Sequence, residues 1–310
     1  MISIIVCSKN KLLSPSFAAN IAESIGLEYE LIHVDNSEGQ FDIFSAYNHG
    51  VNLSRYANLC FVHDDVHFHS QDWGQKILKH LQLPEVGICG VAGRDFVSKV
   101  PAAWNKKLSG INIIQSDKLG VKRTRRKLIP ENYKSTLREV VTLDGVILCV
   151  RKELFQNIRF DEKIGGFHGY DLDFCIQSKI NGYKNFVMYD IVLEHFSRGN
   201  PNADYYRSLI KVFKKWKDVL PLYVEGTSKQ TIKSNSLIEY RGLTTLLGKM
   251  VRRRMPTNEI RNEINYFTDN LNLKFAKFRK LYILPEIYLL KVLYFHLYFT
   301  KKEDDFLKNK

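Results

Sequence analysis

Three signatures of phosphate or nucleophile chemistry are missing from this chain of 310 residues. Without a G-x-x-x-x-G-K-[ST] run, a P-loop nucleotide triphosphatase is not expected. No G-x-G-x-x-G follows the first strand-like run, where Ser8-Lys9-Asn10-Lys11 stands instead, and this argues against a dinucleotide dehydrogenase. No G-x-S-x-G elbow offers the serine of an α/β-hydrolase. Cysteine is scarce: Cys7, Cys60, Cys89, Cys149 and Cys175 lie far apart, with no C-x-x-C. Neither a disulfide framework nor a structural zinc site is expected, and a reducing compartment is favoured. Met1 leads directly into the apolar run Ile2–Val6, with no charged or cleavable leader, so the expected location is the cytoplasm. No repeat of 20–50 residues is visible.

What the chain does have is an uneven charge. Its net charge is +13, but residues 1–200 carry 24 basic and 22 acidic side chains, against 22 and 11 in residues 201–310. This predicts a nearly neutral domain over 1–200 and a basic, mostly helical appendage over 201–310 that prefers an anionic surface.

Within 1–200, strand and helix patterns alternate. Ile2–Cys7 is a short continuous apolar run, as in a strand covered on both faces. Ser14-Pro15 opens a helix that stops at Gly26. Tyr29–Val34 reads as a strand, Phe41–Leu53 as a helix, Asn58–Val62 as a strand, Asp72–Leu81 as a helix and Val86–Val91 as a strand. This rhythm predicts an α/β fold with a mostly parallel sheet, helices on both faces, and ligands beyond the carboxyl ends of the strands. Gly93–Arg138 reads as a long loop carrying a basic run at 122–127, whose Lys122, Arg123, Arg125 and Arg126 suit a departing diphosphate or an anionic acceptor. Val140–Val150 reads as a strand containing Asp144-Gly145, Tyr170–Ile180 as a helix, and Asn185–Leu193 as a strand leading into Glu194-His195.

The run Phe61-Val62-His63-Asp64-Asp65-Val66 ends an apolar strand in two adjacent carboxylates. These repel each other and resist desolvation unless a cation or solvent compensates. A divalent metal holding a diphosphate explains them, and so does a solvated turn. A rival pattern overlaps it: His63, Asp65, His67 and His69 alternate, so on a strand they share one face, which suits a metal-dependent hydrolase.

The ordered set of motifs resembles the inverting family-2 glycosyltransferases of the GT-A fold, in particular their streptomycin-biosynthesis-type branch. It comprises Ser8; Val34-Asp35-Asn36-Ser37; Ala46-Tyr47-Asn48-His49-Gly50; Phe61 to Val66; Val141 to Val146; Phe160-Asp161; Gly166 to Asp173; and Leu193 to Ser197. The resemblance covers about the first 200 residues. It implies a Rossmann-like, mixed sheet binding a nucleotide-sugar donor, with manganese or magnesium as cofactor. Asp65 matches the last acid of the family's D-x-D element, whose first position is His63 here, and His195 is either a further metal ligand or a histidine satisfied by a backbone carbonyl. Asp35 and Asn36 match the base- and ribose-contacting turn. Ser8 and Asn48 fall to the nucleotide pocket, and Asp64 to the ribose or donor sugar. Asp144 and Gly145 belong where donor and acceptor meet, or to a turn. Asp171 matches the general base; Asp173 is expected to face elsewhere. His168 and Tyr170, the latter where the family has Glu, fall to the acceptor. The implied reaction moves a sugar, with inversion, to a hydroxyl of a glycan or lipid-linked acceptor. A sugar-nucleotide-binding protein without catalysis is the alternative.

In the basic region, Arg252-Arg253-Arg254 and the cluster Lys274, Lys277, Arg279 and Lys280 flank helical patterns. The apolar stretch at 281–299 is interrupted by Pro285, Glu286, Lys291 and His296. Lying on the inner membrane face, or pairing copies of the chain, fits it better than spanning. No nucleic-acid module is recognised.

Overall fold

A computed structural model describes residues 1–101, 109–117, 119, 121, 123–129, 134–197, 201–226, 235–270 and 285–292. It divides into two units. The first comprises Met1–Val97, Trp104–Asn200 and Leu222–Gly226; the second comprises Ser98–Ala103, Pro201–Pro221 and Thr227–Lys310.

In the first unit the elements follow in the order β1 (Ile2–Ser8), α1 (Pro15–Ser24), β2 (Tyr29–Asp35), α2 (Ile43–Leu53), β3 (Asn58–Val62), β4 (Val66–Phe68), α3 (Trp73–Leu81) and β5 (Val86–Gly90). Short strands come next: β6 (Ala92–Arg94), β7 (Phe96–Val97), β8 (Ser109–Ser116), β9 (Arg123–Leu128), β10 (Leu137–Val140), β11 (Thr142–Leu143) and β12 (Ile147–Arg151). Helix α4 (Tyr170–Ile180), β13 (Lys184–Met188) and β14 (Leu193–His195) follow. The main sheet has seven strands in the order β10-β13-β5-β12-β3-β1-β2. The pairings make five of them run one way, with β10 and β12 opposed. The sheet is therefore mixed but mostly co-directional, as expected.

Burial explains the strand sequences. Ile2, Ile4 and Val6 pack with Phe17, Ile21, Trp73 and Ile77 of α1 and α3 on one face. On the other face, Gly50 of α2 lets the helix approach so closely that a Cβ there would sit 2.3 Å from Ile5. Phe61 meets Tyr47 of α2 at 4.9 Å and Phe160 at 4.9 Å between ring centroids. Phe160 stacks on Phe174 of α4 at 4.4 Å. Phe160 is 2% exposed, so Phe160→Ala leaves a cavity in this aromatic cluster. The expected loss of stability is about 3–5 kcal/mol, read from the midpoint of urea unfolding; a loss below about 1 kcal/mol would mean that the cluster collapses to fill the gap.

The described residues of the expected long loop at 93–138 instead lie largely in strands. β6, β8, β14 and β4 form a second sheet with β11, and β9 pairs with β8. The alternation in Ile111, Ile113 and the facing Arg126 is weak, because β9 is exposed and polar and β8 has only one apolar face. The strand read at 140–150 is three pieces: β10 ends at Val140, β11 belongs to the second sheet, and β12 begins after a turn at 144–146. The strand read at 185–193 likewise breaks after Met188, and β14 joins the second sheet. Ser14 stands at the N-cap of α1 but makes no side-chain capping bond.

The second unit is helical. Helix α5 (Ala203–Lys215) buries Tyr206, Ile210 and Phe213, and α7 (Thr257–Asn270) buries Ile260, Ile264 and Phe267. Between them in sequence lie the short strand β15 (Leu222–Tyr223), which pairs with β7 in the first unit's fold, and α6 (Asn235–Arg252). Arg207 of α5 makes a two-pronged ion pair with Glu259 at 2.7 and 3.0 Å. Residues 285–292 are also helical. The cluster Lys274–Lys280 and most of 281–299 lie outside the described residues.

Candidate functional site

Strands β2, β1 and β3 run parallel and deliver their carboxyl ends side by side, with Ser8 opposite Asp35. The buried Ser8 hydroxyl donates to the Asp64 carboxylate, and the Asn10 backbone N–H donates to Ser8 Oγ at 3.0 Å. Asp35 Oδ1 accepts the Ser37 N–H at 2.9 Å, a bond that holds its carboxyl below the ordinary range. Asn36 closes the next loop by exchanging two 2.9 Å bonds with the Phe41 backbone. A cavity of about 300 Å³ opens here, bounded among others by Lys9, Asn36, Tyr47, Asp64, Asp65 and Phe167.

The chain turns at 63–65 between β3 and β4. Strand β14 runs antiparallel to β4 with His195 opposite Val66, and the Phe196 N–H donates to the Asp65 carbonyl at 2.9 Å. This pairing carries His195 to Asp65 from far along the chain. One potential ligand atom from each of His63, Asp65 and His195 lies within 4.8 Å of the others. His195 Nε2 is 3.3 Å and His63 Nδ1 3.9 Å from Asp65 Oδ1. Among the described residues no hydrogen-bond donor is aligned on that buried oxygen. An acceptor left without a donor between two imidazoles fits a divalent cation. Burial opposes ionisation of Asp65, but His195 and His63 outweigh it and hold the carboxyl below its usual range. Burial, then His195, pushes the His63 imidazole down toward its neutral form, the form that ligates metals.

The four-residue face expected for a hydrolase does not form, because the turn at 63–65 breaks the alternation. His67 meets His69 at 4.9 Å between ring centroids. His69 Nε2 lies 2.9 Å from Glu194, which Arg123 of β9 also pairs at 2.8 Å. Arg125 donates to Asn112 at 2.6 Å, so two of the basic residues proposed for an anion are engaged within the fold. Lys122 lies outside the described residues.

Helix α4 opens after Gly169, whose φ of 81° favours glycine. Its first turn carries Asp171, whose Oδ2 accepts the Gly145 N–H at 3.1 Å and whose Oδ1 accepts the Leu172 N–H at 2.8 Å. Burial, reinforced by the neighbouring Asp144 charge, pushes the Asp171 carboxyl up to about 6. Asp144 itself caps the turn through Val146 N–H at 3.1 Å. Asp173 points the other way: it is fully buried and accepts from Gln177 at 2.7 Å.

Two residues read from the motifs sit differently from expectation. Asn48 is committed to the Phe160 carbonyl and Glu162, each at 2.8 Å; it ties α2 to the 160–162 loop and is not on the cavity wall. Tyr170 lines the cavity but is itself buried, and its hydroxyl is held by His63, Gly145 and Tyr47, which leaves that hydroxyl no free face for an acceptor. His168 lies half-buried in the turn before α4. Sequence reading passed over Lys9, Asn10 and Phe167. Lys9 and Asn10 directly follow a strand end, and Phe167 follows two glycines; these placements were the available signals.

The model of the family described as "Glycosyltransferase like family" matches residues 3–216. No curated protein matches the sequence. Among solved structures, a crystal structure of GalNAc-T7 with UDP, GalNAc and Mn2+ is similar at a TM-score of 0.46 and 11% identity. The match covers 70% of this chain and 49% of that one, so the chain spans about half the length of that protein. A crystal structure of A197 from STIV is similar at a TM-score of 0.37 and 13% identity, over 63% of this chain and 85% of that one. The mixed α/β, GT-A-like fold is as expected from the motifs, and the helical C-terminal region is as expected from the pattern over 201–310.

Proposed function

The chain belongs to the glycosyltransferase-like family, and from that premise we propose that it moves a sugar from a nucleoside-diphosphate donor to a hydroxyl of a glycan or lipid-linked acceptor, with inversion. The observation carrying this reading is the convergence of His63, Asp65 and His195 beside a cavity at the strand ends. The motifs favour the streptomycin-biosynthesis-type branch.

His63, Asp65 and His195 would hold the cation. Two imidazoles and one carboxylate suit manganese better than magnesium, which prefers an all-oxygen shell. When bound, such a cation supplies positive charge against the charge building on the leaving diphosphate. Ser8, Asp35, Asn36 and Asp64 line or shape the nucleotide side of the cavity, with Ser8 and Asn10 fixing the Asp64 carboxylate. Asp171 takes the proton from the acceptor hydroxyl. Both of its oxygens keep a lone pair free after accepting backbone N–H bonds, and its raised affinity for a proton makes it a stronger base than an ordinary aspartate. The N–H bonds also hold the carboxylate still. Asp144 and Gly145 sit where donor and acceptor meet, and His168 lies on the acceptor side.

A thermal-shift panel of nucleoside diphosphates tests the reading. One nucleobase should raise the melting temperature with manganese and much less without it, because ligand binding stabilises the native state by mass action. A panel with no manganese-dependent shift for any base counts against the proposal. Transfer of the sugar to no acceptor, with donor binding intact, would favour the non-catalytic binding protein instead.

The second unit is proposed as an attachment module. No helix of the described residues is long and apolar enough to cross a membrane. Tyr288, Leu289 and Val292 are nonetheless exposed on one side of the helical stretch 285–292, and the 201–310 region is basic. We read this as docking on the anionic inner membrane face, with pairing of two copies as the other outcome. The full chain should float with anionic vesicles and be released by salt; equal flotation with neutral vesicles would reject an electrostatic role.

A further inference from the structure

Tyr170 stands where the resembling family carries an acid, and its hydroxyl is spent inside the protein. It lies 3.0 Å from the Gly145 carbonyl and 2.8 Å from His63 Nε2. The Tyr47 hydroxyl is its third neighbour. A carbonyl oxygen has no hydrogen to give, so the single phenolic hydrogen goes to Gly145, and the two phenolic lone pairs accept from Tyr47 and from His63. His63 Nε2 therefore carries its hydrogen, and Nδ1 keeps its lone pair on the side of Asp65. We propose that Tyr170 is a positioning residue, whose buried hydroxyl holds His63 as the Nε2–H tautomer and turns Nδ1 toward the space shared with Asp65 and His195.

The surroundings are shaped for this contact. A Cβ on Gly145 would fall 2.1 Å from the Tyr170 hydroxyl oxygen, so only glycine admits the phenol. Tyr47 and Phe44 set the ring from two sides, edge-on at 5.5 and 6.3 Å between centroids. Groups that orient a ligating imidazole through its second nitrogen set both its tautomer and its direction. The inference rests on the cation reading of the same site, but the tautomer can be read without any metal.

In the metal-free protein, two-bond proton–nitrogen NMR of the imidazoles should show His63 with a protonated Nε2 and a bare Nδ1. The peak is identified by its loss in His63→Gln. Tyr170→Phe should scramble that pattern and weaken Mn2+ binding, followed by EPR of the free ion, about 10-fold or more. Gly145→Ala, which displaces the hydroxyl while keeping the tyrosine, should act in the same direction. A wild-type spectrum with hydrogen on Nδ1 overturns the proposal, and so does unchanged Mn2+ affinity in a folded Tyr170→Phe. If that variant does not fold, the wild-type spectrum still decides the tautomer. An Nε2–H pattern in a wild-type protein that binds no Mn2+ would overturn the cation reading while supporting the Tyr170–His63 bond.

Discussion

Asp171→Asn is expected to lower kcat by about 10²–10⁴-fold, the usual worth of a positioned general base, while leaving the affinity for nucleoside diphosphate nearly unchanged. The substitution keeps the size of the side chain and one of its two backbone N–H bonds, that from Gly145, so donor binding at the strand ends is undisturbed. What it removes is the group that accepts the acceptor's proton, and a loss confined to the transition state lowers kcat and kcat/KM together. The same carboxyl sets the pH profile. Its proton affinity in the folded protein is raised to about 6, so the reactive, ionised form prevails above that pH and activity falls as pH drops through it. Full turnover in the variant, or a wild-type profile flat down to pH about 4, would remove Asp171 from the role of base.

Asp65→Ala should have the other large effect. It deletes the one carboxylate of the cation group and leaves two imidazoles without an anionic partner. The manganese-dependent rise in melting temperature with nucleoside diphosphate should disappear, and turnover should fall by about 10²–10³-fold or more through lost stabilisation of the leaving group. His67→Ala serves as the comparison, since His67 pairs with His69 away from the cation group; its manganese response should match wild type. If His67→Ala abolished the response and Asp65→Ala did not, the assignment of the metal group would be wrong.

How far the sequence was legible depends on how local each feature is. Ile2–Cys7 reads as a covered strand because every residue in it but Ser3 is apolar, and β1 is buried on both faces. Tyr170–Ile180 reads as a helix and is one. The stretch 93–138 was illegible because β6 and β7 are three and two residues long and β9 is polar. Such strands exist only through their partners in a sheet, and no period of two can be read from so few residues. The alternating His63, Asp65, His67 and His69 misled for the opposite reason: the pattern is regular, but the backbone turns in the middle of it.

The acidic strand end, the pair Asp171 and Asp173, and the order of the motifs were written in the chain itself, because each is a matter of neighbouring residues. The resemblance already favours Asp171 over Asp173; the tertiary structure adds the contacts of each, with Asp173 buried against Gln177 and Asp171 turned to Gly145. It alone brought His195 to Asp65, through the antiparallel register of β14 on β4, and gave Tyr170 its partner in His63. Register, burial and charge proximity are properties of strands that meet across the fold, and linear spacing carries no record of them.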